Sequence, residues 1–331
     1  MKKIYGNRQL LDALAGMAQS GRTAHSVMIC GEKGTGRKLM AKYYTQALMC
    51  EFPHEGVPCG ECNACMNVEK DIHPDVIYPE KTGKLGGYSV KTAREIIADA
   101  YVKPNNSSGC KVYIFADCHN VDTRTQNTLL KLIEEPPDYA YFIFTCASKS
   151  EFLPTIISRC VCFSTSLCTE EEAAQALTDM GYDSEDIRAA VDCFHGNVGM
   201  CSSYITDEEL RKRVDLTKAI ADSIIRKDEY ALAAELFSAG KEREEVREVL
   251  SMLDRLFRDA AVLSRDRNAA VIGCSGAAAK ALSQTVTPSQ AARLHERTEK
   301  AWAAVESNVS IPLALTAYGA EIMDIVAQTF R

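Results

Sequence analysis

The chain has 331 residues, a net charge of −7, and 46% hydrophobic and 25% charged residues, which is an ordinary composition for a folded protein. No apolar run approaches the ~20 residues of a membrane helix, and the first residues lack the apolar region of a signal peptide. We therefore expect a cytoplasmic protein without membrane contact. The acidic balance argues against a dedicated nucleic-acid-binding protein, although it is compatible with a local basic face.

Short apolar runs alternate with helical patterns through the first half of the chain. This alternation predicts a parallel sheet covered by helices on both faces. The predicted strands are Ser26–Cys30, Asp75–Pro79, Lys111–Asp117 and Tyr141–Cys146. The predicted helices cover residues 37–50, 90–104 and 123–135, the last of them closed by two prolines.

Beyond residue 164 the sequence predicts helices only. Thr169 and the acidic residues that follow it are typical of a helix start, and Gly181 of a helix end. Further on, apolar residues recur at helical spacing on one face, at Val246, Val249, Leu250, Leu253, Phe257 and Ala260. We predict an α/β domain over residues 1–165, a small helical domain over 166–205 and a larger helical domain over 206–331.

A glycine-rich segment, "GEKGTGRKLM", follows the first predicted strand and precedes a helix. Its glycines are Gly31, Gly34 and Gly36, spaced as in a phosphate-binding loop. Arg37 stands where such a loop has its lysine, and Lys38 where it has the Ser or Thr that holds Mg²⁺. The segment is either a decayed nucleotide site or a chance glycine turn.

An ATPase also needs acidic residues at the end of a neighbouring strand, to hold Mg²⁺ and to position water. The third predicted strand supplies Asp117, but its neighbours are Ala116 and Cys118. Loop and strand are therefore degraded together, which favours the decayed nucleotide site. Arg37 fits a phosphate pocket poorly, and Lys38 offers no oxygen ligand to a metal ion. We expect no ATP hydrolysis. The sequence does not decide whether a nucleotide still binds weakly through backbone N–H groups and the helix N-terminus.

The segment "CEFPHEGVPCGECNAC" holds four of the 14 cysteines. Cys50, Cys59, Cys62 and Cys65 are separated by eight, two and two residues. This spacing favours tetrahedral Zn²⁺ coordination by four thiolates, and four protein ligands leave no open position for catalysis. The alternative is chance clustering in a cysteine-rich chain. We predict a structural zinc module over residues 50–65.

Several motifs occur together in one order: "HSVMICGEKGTGR", the inserted cysteine segment, "QNTLLKLIEEPP" and "LPTIISRC". In this combination the chain resembles the bacterial DNA polymerase III clamp-loader subunits of the AAA+ class over residues 1–205. The resemblance implies an AAA+ α/β domain with a zinc-binding insertion, a small helical lid domain and an all-α C-terminal collar domain. It also places the family's Mg²⁺-binding Asp at Ala116, and a sensor residue near Thr145.

The resemblance favours the delta-prime branch of the family, which has lost its ATPase residues, over the gamma and tau motor subunits. Gly199 stands where a motor subunit carries a nucleotide-sensing Arg, in agreement with that branch. The family's S-R-C motif falls on Ser158, Arg159 and Cys160. It implies that Arg159 acts as an arginine finger on ATP bound to a neighbouring subunit. From the residue alone, a surface Arg in a structural salt bridge is an equal alternative.

The function that this resemblance implies is a non-hydrolysing clamp-loader subunit that helps to load the sliding clamp on primed DNA. Its partners would be the gamma/tau and delta subunits, the clamp and, through the assembly, primed-template DNA. An active gamma-type ATPase is one alternative. A zinc-stabilised nucleic-acid-binding protein outside replication is another, and it predicts DNA binding that depends steeply on salt.

Overall fold

The structure, a computed structural model, describes residues 3–20, 24–83, 87–307 and 309–327. The chain separates into two compact units, Met1–Glu172 and Ala173–Arg331. A further boundary near residue 205, between a lid and a collar domain, stays a prediction. The two units are described in turn.

The first unit contains a five-stranded sheet in the order β2-β3-β4-β1-β5, and every pair of neighbouring strands is parallel. The predicted parallel sheet is confirmed. Because the strands run the same way, their carboxyl ends meet at one edge, which carries the glycine loop and Asp117. The strands are β1 (Ser26–Cys30), β2 (Val76–Ile77), β3 (Lys111–Cys118), β4 (Ala140–Cys146) and β5 (Val161–Ser164).

Side chains alternate between the two faces of the sheet along each strand. On β1, Val27 and Ile29 pack with Tyr44, whereas Met28 packs with Phe144 in a separate cluster on the other face. Both faces are therefore buried, as a parallel sheet requires. The helices of this unit are α1 (Arg8–Gln19), α2 (Arg37–Met49), α3 (Asn63–Glu69), α4 (Val90–Ala100), α5 (Thr123–Glu134) and α6 (Pro154–Ile157).

From residue 170 onward the described chain is helical, as predicted. Thr169 accepts a hydrogen bond from the Glu172 amide at 3.1 Å and caps the helix that follows. The helices are α7 (Glu170–Asp179), α8 (Ser184–Phe194), α9 (Val198–Thr206), α10 (Glu208–Arg226), α11 (Glu229–Phe237), α12 (Arg243–Leu263), α13 (Gly276–Thr285), α14 (Pro288–Glu306) and α15 (Ile311–Ala327).

The long helix α12 lies at the centre of the second unit. Its predicted apolar face is confirmed, since all six residues named for it are buried in the core of this unit. Against this face pack α13 and α14, which contribute Leu282 and Leu294 to the same cluster. None of the described helices is both long and apolar enough to span a bilayer.

Candidate functional site: a cation-filled glycine loop and a four-cysteine cluster

The glycine loop joins β1 to α2 at the carboxyl edge of the sheet. The Gly31 amide donates a hydrogen bond to the Cys146 carbonyl at 3.2 Å, so the loop starts against β4. Gly34 and Gly36 have φ angles of 89°, a conformation that side chains disfavour. A Cβ atom on Gly31 would lie 1.9 Å from Thr165 Oγ1. The glycines are therefore needed for the backbone path of the loop, whether or not it binds a phosphate.

Hydroxyl contacts hold the loop to the chain beyond β5. Thr35 Oγ1 donates to the Glu32 carbonyl at 2.8 Å and lies 2.6 Å from Thr165 Oγ1. The Thr165 hydroxyl in turn donates to the Cys30 carbonyl at 3.2 Å. The loop is thus closed by its own side chains, and Thr165 is a residue that the sequence motif did not reveal.

Arg37 and Lys38, the two loop residues that depart from the phosphate-binding motif, both contact Asp117. Lys38 Nζ lies 2.6 Å from Asp117 Oδ2, and Arg37 Nη2 lies 3.2 Å from Oδ1. The side chain of Arg37 is 10% exposed, whereas that of Lys38 is 63% exposed. Each oxygen of the retained carboxylate therefore faces a protein cation. A metal ion on this carboxylate would have to displace Lys38.

Backbone contacts fix the position of Asp117. It adopts a left-handed conformation, with φ of 46°, at the irregular end of β3, and Asp is among the residues that tolerate this region. Its amide donates to Thr145 Oγ1 at 2.8 Å, and its carbonyl accepts from Lys81 Nζ at 2.8 Å. Thr145 thus orients the acid, while its predicted sensor role stays a prediction. Lys81 belongs to no motif, and sequence reasoning missed it.

The position before Asp117 carries no acid. Ala116 uses its carbonyl to accept a hydrogen bond from the Tyr88 hydroxyl at 3.0 Å. The side chain at this position is a methyl group, which offers no ligand to a metal ion. The loop, Asp117 and Ala116 meet at one edge of the sheet, although β3 is not the direct neighbour of β1 as the sequence predicted, since β4 lies between them.

The charges around Asp117 shift its pKa. Partial burial raises the pKa of the carboxyl group, but the hydrogen bond from Lys38 and the charges of Lys38, Arg37 and Lys81 outweigh it. The net pKa lies below the ordinary value of about 3.9. A depressed pKa stabilises the fold above the unfolded-state value, and this contribution is lost as the pH falls through the folded-state pKa.

This linkage predicts how an Asp117→Asn variant behaves. The variant should be less stable than the wild type at neutral pH, and the difference should shrink as the pH falls below about 4. Urea denaturation at a series of pH values measures it. Asp138→Asn, at an exposed position, is the control and should leave the profile unchanged. A stability difference for Asp117→Asn that is the same at all pH values would contradict the assignment.

The S-R-C segment lies between α6 and β5. Arg159 Nη1 donates to the Thr155 carbonyl at 2.8 Å and to Ser158 Oγ at 3.3 Å. Nη2 forms a salt bridge with Glu134 at the end of α5, and the Arg159 side chain is 36% exposed. Burial raises the pKa of Cys160 to about 12, so this thiol is neutral at physiological pH. The guanidinium is therefore held in place by its own chain and remains partly open to solvent.

The four predicted cysteines converge. The Sγ atoms of Cys50, Cys59, Cys62 and Cys65 all lie within 4.8 Å of one another. Such a cluster could hold a metal ion, and its donors suit zinc. The cluster is also hydrogen-bonded to α2, because Gln46 on this helix donates to the Cys65 carbonyl at 2.9 Å.

The backbone around the cluster favours thiolates. The amides of Glu61 and Cys62 donate to Cys59 Sγ at 3.5 and 3.3 Å, and the Cys59 amide donates to Cys50 Sγ at 3.2 Å. These amide hydrogen bonds lower the pKa of Cys59 to about 7. Burial instead raises the pKa of Cys65, so a cation would be needed to hold all four thiols deprotonated. The residues present therefore fit a bound zinc ion.

The chain is similar in sequence to several known proteins. A family model described as "DNA polymerase III, delta subunit" matches residues 6–167. The chain is 28% identical over 203 residues to DNA polymerase III subunit gamma of Buchnera aphidicola, covering 60% of this chain and 55% of that protein. It is 32% identical over 164 residues to subunit delta-prime of Pseudomonas aeruginosa, covering 49% and 48%. The chain thus spans about half the length of these relatives.

A solved structure, that of a DNA polymerase III gamma subunit-related protein from Thermotoga maritima, aligns with 95% of this chain and 99% of its own. Its TM-score is 0.40 and its identity 17%. Residues 6–167 of the chain are thus similar to the DNA polymerase III clamp-loader subunits.

Proposed function

We propose that this chain is a non-hydrolysing, delta-prime-type subunit of the DNA polymerase III clamp loader. The observation that carries the proposal is the pair of salt bridges that Arg37 and Lys38 form with Asp117. A catalytic loop needs a metal ion to bridge the phosphate oxygens and neutralise their charge. Here an ammonium group takes the place of that ion, and Ala116 removes a metal ligand. The chain would then act through its partners rather than through its own loop.

The arginine finger is the second part of the proposal. A guanidinium offers a permanent charge and paired donors to the γ-phosphate as charge spreads in the transition state. Arg159 is partly exposed and is held by Glu134 and by the turn that precedes it. This arrangement supports its use on ATP bound to a neighbouring subunit. The same salt bridge would by itself explain a purely structural Arg159, so the role needs a functional test.

The remaining parts have structural roles. The cysteine cluster would hold zinc as a structural ion that keeps residues 50–65 folded. Residues 166–205 would form the lid and residues 206–331 a helical collar that joins the other subunits. The assembled complex would load the sliding clamp on primed DNA, and any DNA contact by this chain would be to the phosphate backbone, since a clamp is loaded at any sequence.

Assembly tests this proposal directly. We expect this chain, mixed with the gamma/tau and delta subunits of the same organism, to form a stable complex of fixed stoichiometry in native mass spectrometry. The chain alone should show no ATP turnover. The similarity to a gamma subunit favours an active motor as the rival function. ATP turnover by the isolated chain, stimulated by primed DNA, would support that rival function and contradict the proposal.

The loop chemistry also predicts a loss of metal dependence. Any binding of a fluorescent ATP analogue to the wild-type chain should be insensitive to Mg²⁺, because Lys38 and Ala116 offer no oxygen ligand. A triple variant, Arg37→Lys, Lys38→Thr and Ala116→Asp, restores the side chains of a working site and should bind the analogue more tightly with Mg²⁺ than without. Fluorescence titration with and without EDTA measures this. Tight Mg²⁺-dependent binding by the wild type would contradict the assignment.

A further inference from the structure

We propose that Cys30 and Cys146 are a site of reversible oxidation, where hydrogen peroxide converts two neighbouring thiols into a disulfide. This inference concerns two residues that the proposed function does not use. It stands on the position of the two sulfur atoms, and it holds or fails independently of any role in clamp loading.

The two cysteines face each other across adjacent strands. Cys30 ends β1 and Cys146 ends β4, and the two residues are register partners in the parallel sheet. Their Sγ atoms lie 3.3 Å apart. Neighbouring strands are separated by about 4.8 Å, which falls inside the ~4.4–6.8 Å range of Cα separations that a disulfide spans. The sulfur atoms need to approach by about 1.3 Å to reach the bond length of ~2.05 Å, so side-chain rotation within the sheet can close the bond.

The environment makes the two thiols unequal. The hydrogen bond from the Cys146 thiol is the main effect on Cys30 and lowers its pKa, and the charges of Lys149 and Arg37 act in the same direction against burial and Glu151. The same hydrogen bond raises the pKa of Cys146, and burial adds to it. Cys30 is therefore the more acidic of the two thiols and the one that reacts with the oxidant. Cys30 is 5% exposed and Cys146 fully buried, so the oxidant has to be as small as hydrogen peroxide.

The chemistry balances in a short sequence. The Cys30 thiolate attacks one oxygen of hydrogen peroxide, the O–O bond breaks, and a sulfenic acid and hydroxide form. Hydroxide takes the proton of Cys146, giving water, and the Cys146 thiolate attacks the Cys30 sulfur. The S–O bond breaks, and the departing hydroxide takes up the proton that Cys30 released. Two thiols and one peroxide yield one disulfide and two waters, and an external thiol reverses the reaction.

A third cysteine on the same row provides a contrast. Cys118, at the end of β3, is also a register partner of Cys146. Its thiol donates to the Phe115 carbonyl at 3.3 Å, so its hydrogen is directed along its own strand. The geometry therefore selects Cys30, and not Cys118, as the partner of Cys146. The bond would lie directly beneath the glycine loop, because Gly31 follows Cys30 and donates its amide hydrogen bond to the Cys146 carbonyl.

Peptide mapping tests this selection on the intact chain. Tryptic cleavage places the three cysteines in separate peptides, covering residues 23–33, 112–124 and 132–149, each with a single cysteine. The folded protein is treated with hydrogen peroxide, its remaining thiols are alkylated, and it is digested without reduction. We expect peptides 23–33 and 132–149 joined with the loss of two hydrogens, and separated again by dithiothreitol.

Three serine variants complete the experiment. Cys30→Ser and Cys146→Ser should abolish the joined species, while Cys118→Ser should leave it at the wild-type level. The wild-type result does not depend on how the variants fold. A link between Cys118 and Cys146 would overturn the proposal. So would oxidation of Cys30 to a sulfinic acid beside an unmodified Cys146, or two thiols left unmodified by the peroxide.

Discussion

Replacing Arg159 by alanine is expected to lower ATP turnover in the reconstituted clamp loader. At the neighbouring site that Arg159 is proposed to complete, the loss should be ~10³-fold or more, which is the usual contribution of an arginine finger. Total turnover of the assembly should fall by the share that this one site contributes. Steady-state phosphate release measures it, and native mass spectrometry of the same samples shows whether the variant still assembles.

Two further variants separate the finger from a structural salt bridge. Arg159→Lys keeps the charge but loses the paired donors of the guanidinium, and we expect it to be impaired almost as much as alanine. Glu134→Gln removes the charge of the salt-bridge partner but keeps the guanidinium and its hydrogen bond to the Thr155 carbonyl, so turnover should be kept. If Glu134→Gln reduced turnover as strongly as Arg159→Ala, the salt bridge would be the important feature. Unchanged turnover in a fully assembled Arg159→Ala complex would refute the finger.

Removing one ligand of the cysteine cluster is expected to have the largest effect on stability. The purified wild-type chain should contain ~1 zinc ion, since a closed four-thiolate site binds one ion. Cys65→Ala should lose that zinc, because metal binding and local folding are coupled in such modules and the binding energy of structural zinc is large, about 10–16 kcal/mol in zinc-finger peptides. Without the zinc ion, the hydrogen bond from Gln46 on α2 to the cluster should also weaken.

Metal analysis by mass spectrometry and thermal unfolding measure these effects. Cys118→Ala is the matched control, because Cys118 is as buried as Cys65 but lies outside the cluster. It should keep its zinc and show only the modest loss of stability expected for a truncated core side chain. Wild-type protein with four reduced thiols and no bound metal would show that the cluster is not a zinc site.

The sheet and the helices around it were largely predictable, because buried parallel strands appear as apolar runs and helices as periodic patterns. The edge strand β5 was missed. It has four residues, of which the apolar Val161, Cys162 and Phe163 form too short a run to predict a strand. The strand predicted over Asp75–Pro79 is also shorter in the structure, at Val76–Ile77.

The site was predictable in its residues but not in its contacts. The positions of Arg37, Lys38 and Asp117 follow from a motif and its departures. Their salt bridges join residues about 80 positions apart and depend on how β1 and β3 are placed in the sheet. Lys81 comes from a loop without any recognisable pattern. The pairing of Cys30 with Cys146 likewise depends on strand order, which local sequence does not contain.

One omission experiment tests the central claim most directly. ATP turnover in the presence of primed DNA and the sliding clamp is measured for this chain alone, for the gamma/tau and delta subunits together, and for all of them combined. We predict no turnover by the chain alone and a rise in turnover when it joins the other subunits. Turnover by the isolated chain at a rate comparable to that of the gamma/tau subunit, or no change when it is added, would contradict the account.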